Sequence, residues 1–186
     1  MWRGRDVFRL FSSHRYEFYR ATGETPETMM EINLIGNRIH DGNRGRPHKL
    51  SPRNRLMLVL LWLKNYPCYF MLSHLFDMSS YTVKSTIYDL LVPLWEIFAP
   101  EVEWPTREEW TCMRGGWPQL PNAIAAIDGT SHPIYRPQIE PQELFYSGHR
   151  HMHCIHTQIL IDNQNHIRLI RSGFLSHQND AQQFNS

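Results

Sequence analysis

Apolar positions first fall into clear helical order after Ser51. Leu56, Leu60 and Leu63 recur on one face with Val59 beside them, which predicts a helix over Pro52–Asn65. Ser51 suits its N-cap, and Pro52 suits the first turn, where a missing N–H costs nothing. Tyr66-Pro67 ends it. A short helix, Tyr69–Phe76, follows, then a turn at Asp77-Met78. Ser79 caps a third helix, Ser80–Phe98, with Val83, Ile87, Leu90 and Leu91 as its buried stripe.

Before this triplet, residues 1–23 read as one irregularly amphipathic helix. After it, residues 99–121 form a Pro/Trp-rich connector. Trp104, Trp110 and Trp117 are expected to serve there as packing anchors between two modules. From Asn122 the pattern turns to short apolar runs of strand type. Ala123–Ile127 is the first, ending at Asp128-Gly129-Thr130. A polar, Pro-containing loop over 133–147 precedes a second strand, Cys154–Ile161. Asp162-Asn163-Gln164-Asn165 turns it into a return strand, His166–Ile170, which Gly173 breaks. Ser176 or His177 then opens a helix through Phe184. The fold class is therefore α/β: an all-α helix-turn-helix module, then a sheet domain beginning with three strands.

Charge changes this picture only when divided. Over 186 residues the net charge is +1, but residues 1–55 hold 11 Lys/Arg against 6 Asp/Glu. The stretch 36–55 alone holds six Lys/Arg, one Asp and three Gly. It reads as a solvated linker or as a phosphate-contacting arm, with Arg44, Arg46, Lys49 and Arg53 as its candidates. A 41% hydrophobic and 20% charged composition excludes wholesale disorder. Three widely spaced cysteines argue against a disulfide framework and for a reducing compartment. The N-terminus lacks the apolar core of a secretory signal, and the run Leu56–Leu63 falls far short of the ~20 residues that span a bilayer. The expectation is a soluble intracellular protein without a membrane partner.

Four features offer chemistry. A short helix, a tight turn and a helix opened by small polar residues match the helix-turn-helix pattern. Its second helix would present Ser80, Tyr81, Lys84 and Ser85 to a major groove; the bland alternative is a three-helix bundle with a polar face. Asp128 stands at the end of an apolar strand, where a carboxylate must be solvated, paired or metal-bound. The alternative is an Asx-turn. Asp180 becomes informative beside Asp128: two carboxylates at one sheet edge can hold Mg²⁺ or Mn²⁺ for phosphodiester chemistry. His149, His151 and His153 alternate and would share one face of an extended segment, as a zinc site or as a phosphate-holding rim with Arg136 and Arg150.

Three strings, NAIAAIDGTSHPI, LFYSGHRHMHCIHTQILID and GFLSHQNDAQQF, occur in that order over the second half of the chain. Together they resemble the catalytic domain of Harbinger-type DDE transposases and the nucleases derived from them. LSPRNRLMLVLLWLKNYPCYFMLSHLFDMSSYTVKSTI resembles the helix-turn-helix that precedes it. The resemblance implies a partial RNase H-like domain over 122–186, after an N-terminal segment (1–50), the helix-turn-helix (51–100) and the connector (101–121). It implies a two-metal endonuclease with Mg²⁺ or Mn²⁺ and with Asp128 and Asp180 as metal-binding catalytic residues, beside which the residues themselves offer Arg150 and His153 as phosphate contacts. It further implies DNA as partner, a separate Myb-like DNA-binding protein, and a nuclear or partly cytoplasmic location. Asn179 stands where the family usually carries His, and the family's further acidic ligands would fall after Ser186. A catalytically inactive DNA-binding protein and a partner-binding adaptor are therefore the alternative expectations.

Overall fold

The computed structural model describes residues 4–40 and 48–177, with side chains from 4–33 and 48–177. Arg44, Arg46 and Asp180 lie outside the described residues, as does the C-terminal helix expected through Phe184. The chain divides into two compact units, Met1–Ala99 and Pro100–Ser186.

The first unit is helical: α1 (Val7–Ser12), α2 (Arg15–Thr22), α3 (Pro26–His40), α4 (Pro52–Asn65), α5 (Tyr69–Phe76) and α6 (Ser80–Phe98). The single helix expected over residues 1–23 is in fact two. The carboxylate of Asp6 caps α1, and Ser13-His14 separates it from α2. The basic stretch that was expected to be connector from residue 36 is helical through His40.

The bounds of α4, α5 and α6 agree with the sequence pattern, but the buried face of α4 does not. Met57, Leu58 and Leu61 are buried, whereas Leu63 is 54% exposed and Leu60 half-buried. The reason is that α4 is the central helix. It packs against α1, α2, α3 and α6, so burial follows several neighbours rather than one stripe. The stripe of α6 is as expected, with Val83 and Ile87 buried and Leu90 and Leu91 packed against the core. Ser51 occupies the α4 N-cap position, but its hydroxyl accepts from Asn54 Nδ2 at 3.0 Å rather than from the backbone.

The second unit opens with α7 (Arg107–Cys112), a helix inside the stretch expected to be connector. Thr106 and Glu109 form a capping box at its start. Trp104 and Trp110 meet edge to face at 5.4 Å, a packing contact within this unit. Then comes an antiparallel sheet of β1 (Ala125–Pro133), β2 (Tyr146–Ser147), β3 (Met152–Asp162) and β4 (Ile167–Leu175). The central β3 pairs with β1, β2 and β4.

Two expectations about the sheet are corrected. Asp128 is mid-strand rather than at a strand end. The eleven-residue β3 supplies partners continuously from Ala125 to Pro133, so Gly129 and Thr130 remain extended. Gly173 does not break β4. Thr157 pairs with Ser172 and His156 with Phe174, which leaves Gly173 as a bulge residue at φ 96°. A second bulge skips Arg168, between the pairs Leu160–Leu169 and Ile161–Ile167. Its Nε donates to the buried Asp162 at 2.8 Å, across the expected hairpin.

Candidate functional site

A cleft of about 410 Å³ lies in the second unit, and Asp128, Gly129 and Ser131 line it from β1. His156 enters it from β3, directly opposite Ser131 in the strand register. The turn before β3 contributes Gly148, His149 and Arg150, and His177 follows β4. Local geometry fixes these positions. The backbone N–H of Arg150 donates to Ser147 Oγ at 3.2 Å, holding the turn. Ser176 Oγ is hydrogen-bonded to the Cys154 carbonyl, tying the end of β4 to β3. The His177 N–H donates to the Leu144 carbonyl at 3.3 Å.

Asp128 is exposed, and its Oδ1 accepts from the Gly129 N–H at 2.8 Å. Among the described residues no cation lies within ion-pair distance of this carboxylate. It is the cleft's sole carboxylate among the described residues, with one guanidinium and three imidazoles around it. An exposed carboxylate without an ion-pair partner is the hard-oxygen donor that Mg²⁺ and Mn²⁺ select. The residues present therefore fit a divalent cation in donor type, with Asp128 as the anchor. Among the described residues no three His, Cys, Asp or Glu converge into a metal-binding group.

Of the phosphate-contacting candidates, Arg150 is brought to Asp128 and His153 is not. His153 sits in β3 against the Tyr146 ring, centroids 5.4 Å apart. The alternating face expected of His149, His151 and His153 does not form. Residues 148–151 make a turn, with His151 at φ 53°. Sequence reading missed His177 as part of this cleft. Its signal was the Ser176-His177 pair after Gly173, read there as a helix start.

In the helical unit, α5, a turn and α6 form the expected helix-turn-helix. Asp77 adopts φ 55° at the turn, a left-handed conformation that explains why glycine is common there. Tyr81 is 82% exposed, and the Lys84 ammonium lies 6.0 Å from the Tyr88 ring. Ser85 is turned to its own helix, donating to Asp89 at 3.1 Å. Lys49 is exposed. Arg53 is engaged inside the unit, ion-paired with Asp6 and 5.3 Å above the Phe8 ring.

Residues 48–94 match a family model described as the helix-turn-helix of DDE superfamily endonuclease. Residues 127–186 match the model described as DDE superfamily endonuclease. These matches support a DDE superfamily endonuclease. No curated protein and no solved structure matches the chain.

The helix-turn-helix match takes in Lys49, Arg53, Tyr81, Lys84 and Ser85; the endonuclease match takes in Asp128, Arg150, His153 and Asp180. The endonuclease match supports a nuclease-type enzyme at family level, and the two matched segments imply DNA binding. Endonucleases of this superfamily generally use divalent metals. No described helix is long and apolar enough to cross a membrane.

Proposed function

We propose that this chain carries a DNA-binding module and nuclease-domain sequence of a Harbinger-type, transposase-derived DNA endonuclease. In this reading the sheet is the opening of an RNase H-like domain. The observation that carries it is Asp128. An exposed carboxylate with no cationic partner among the described residues lines a cleft with Arg150, inside the segment matching the endonuclease family.

Asp128 would hold Mg²⁺ or Mn²⁺ together with Asp180, which lies outside the described residues. When bound, the cations supply an activated water and charge neutralisation for phosphodiester hydrolysis, in a two-metal arrangement. The chain's own groups do the rest. Arg150 draws a phosphate to the cleft mouth by charge-assisted hydrogen bonds. His149 and His177 offer ring nitrogens to phosphate oxygens. The α6 residues Tyr81 and Lys84 face DNA, and Lys49 contacts its backbone. A separate Myb-like protein acts as partner in target choice, and the work is nuclear.

The test is Mn²⁺-dependent nicking of supercoiled plasmid by the full chain. Nicking by the wild type that Asp128→Asn removes supports the proposal. Equal nicking by wild type and Asp128→Asn overturns Asp128 as the metal anchor. Absence of nicking together with intact duplex binding favours the non-catalytic DNA-binding reading.

A further inference from the structure

A second pocket, of about 310 Å³, lies in the same unit and shares no residue with the Asp128 cleft. It is lined by Trp104, Pro105, Arg107, Trp110, Arg114 and Ile124, among others. Its composition is unusual for a structural seam. Two indoles meet edge to face at 5.4 Å, and one of them, Trp104, is left 60% exposed. Two exposed guanidiniums, Arg107 and Arg114, line the same space, and among the described residues neither forms an ion pair. The indole N–H of Trp110 is shut off from solvent and has no acceptor among the described residues.

The two carboxylates of α7 form no ion pair with these guanidiniums. Glu109 is spent on the capping box, accepting from the Thr106 N–H at 2.7 Å and from the Thr106 hydroxyl. Glu108 is exposed in the first turn of α7, where it favours the helix dipole. An exposed indole and two guanidiniums without an ion pair, gathered around one pocket, match one ligand chemistry: a planar heteroaromatic ring attached to a phosphate.

We propose that this pocket binds an unpaired nucleotide of single-stranded DNA. The base stacks on Trp104, while Arg107 and Arg114 hold its flanking phosphates. Duplex DNA cannot offer this, since its bases are stacked inside. The pocket therefore takes a strand that has been opened, by cleavage or by distortion at the cut site. The choice of DNA as the polyanion rests on the endonuclease reading; the pocket's chemistry does not depend on Asp128.

The experiment measures fluorescence anisotropy of a labelled twelve-base oligo(dT) and of a mixed-sequence duplex with the full chain. Trp104→Ala should weaken the single strand about tenfold, and Trp104→Phe should restore most of that loss, because a ring face is what the base needs. Duplex affinity should change less than about twofold. Arg107→Ala with Arg114→Ala should reduce the salt slope for the single strand by about 1.4, roughly 0.7 per phosphate contact. Circular dichroism establishes that the variants remain folded. Unchanged oligo(dT) binding in Trp104→Ala overturns the proposal, as does an equal loss for single strand and duplex. The titrations are run in EDTA, where the metal site of the catalytic reading is not engaged, so failure of that reading and failure of this pocket are separately visible.

Discussion

Arg168 is bulged out of β4 and donates its Nε to Asp162 at 2.8 Å, locking the hairpin that carries half the sheet. Asp162 is fully buried on the last position of β3. Burial alone would raise its carboxyl. The N–H of His166, the guanidinium of Arg168 and the N–H of Gln164 outweigh that and hold it at about 2.

Because the folded-state value lies below the unfolded one, the stabilisation is present above pH ~4 and is lost as pH falls toward ~2. The shift corresponds to about 2 kcal/mol. Asp162→Asn should therefore lower stability by about 2 kcal/mol at neutral pH and flatten the acid limb between pH ~4 and ~2. Urea unfolding across that range, followed by circular dichroism, measures both.

Asn54 binds two elements at once. Its Oδ1 accepts from the Phe8 N–H at 2.8 Å while its Nδ2 donates to Asp6 at 2.9 Å. Asn54→Leu should cost about 1–3 kcal/mol by leaving the Phe8 N–H and the Asp6 cap short of a partner. The same tie predicts that Arg53→Ala destabilises the helical unit more than it weakens DNA binding. Thermal melts beside duplex titrations separate the two effects.

Gly173 holds the β4 bulge at φ 96°, and a methyl group there would meet nothing within 4 Å. Gly173→Ala should thus cost about 1–2 kcal/mol from backbone conformation alone. A larger loss in chemical denaturation would mean that the bulge also positions Ser176 and His177.

Lys84 projects from the exposed side of α6. Lys84→Ala should weaken duplex binding for all sequences alike and reduce the salt slope by about 0.9. Ser85→Ala should have little effect, since that hydroxyl is already used by Asp89.

The three helices of the binding module were readable in sequence because Ser51-Pro52, Tyr66-Pro67, the Asp77-Met78 turn and Ser79 punctuate them locally. The buried side of α4 was not, because it depends on which helices dock around it. In the sheet, Asp128 could be recognised as a carboxylate out of keeping with its apolar run. Its mid-strand place could not, since the length of β3 sets where β1 stops. Gly173 signalled irregularity without saying whether the strand ends or bulges, a choice made by pairing with residues 156–157. The gathering of Arg150, His156 and His177 around Asp128 is a consequence of that pairing and has no local signature.

The central claim is that Asp128 anchors a divalent cation in this cleft. Electron paramagnetic resonance of free Mn²⁺, titrated with the full chain, tests it most directly. Wild type should bind Mn²⁺ saturably, and Asp128→Asn should bind it at least about tenfold more weakly, as expected for losing a charged ligand, with unchanged circular dichroism. Equal Mn²⁺ binding by the two proteins would contradict it.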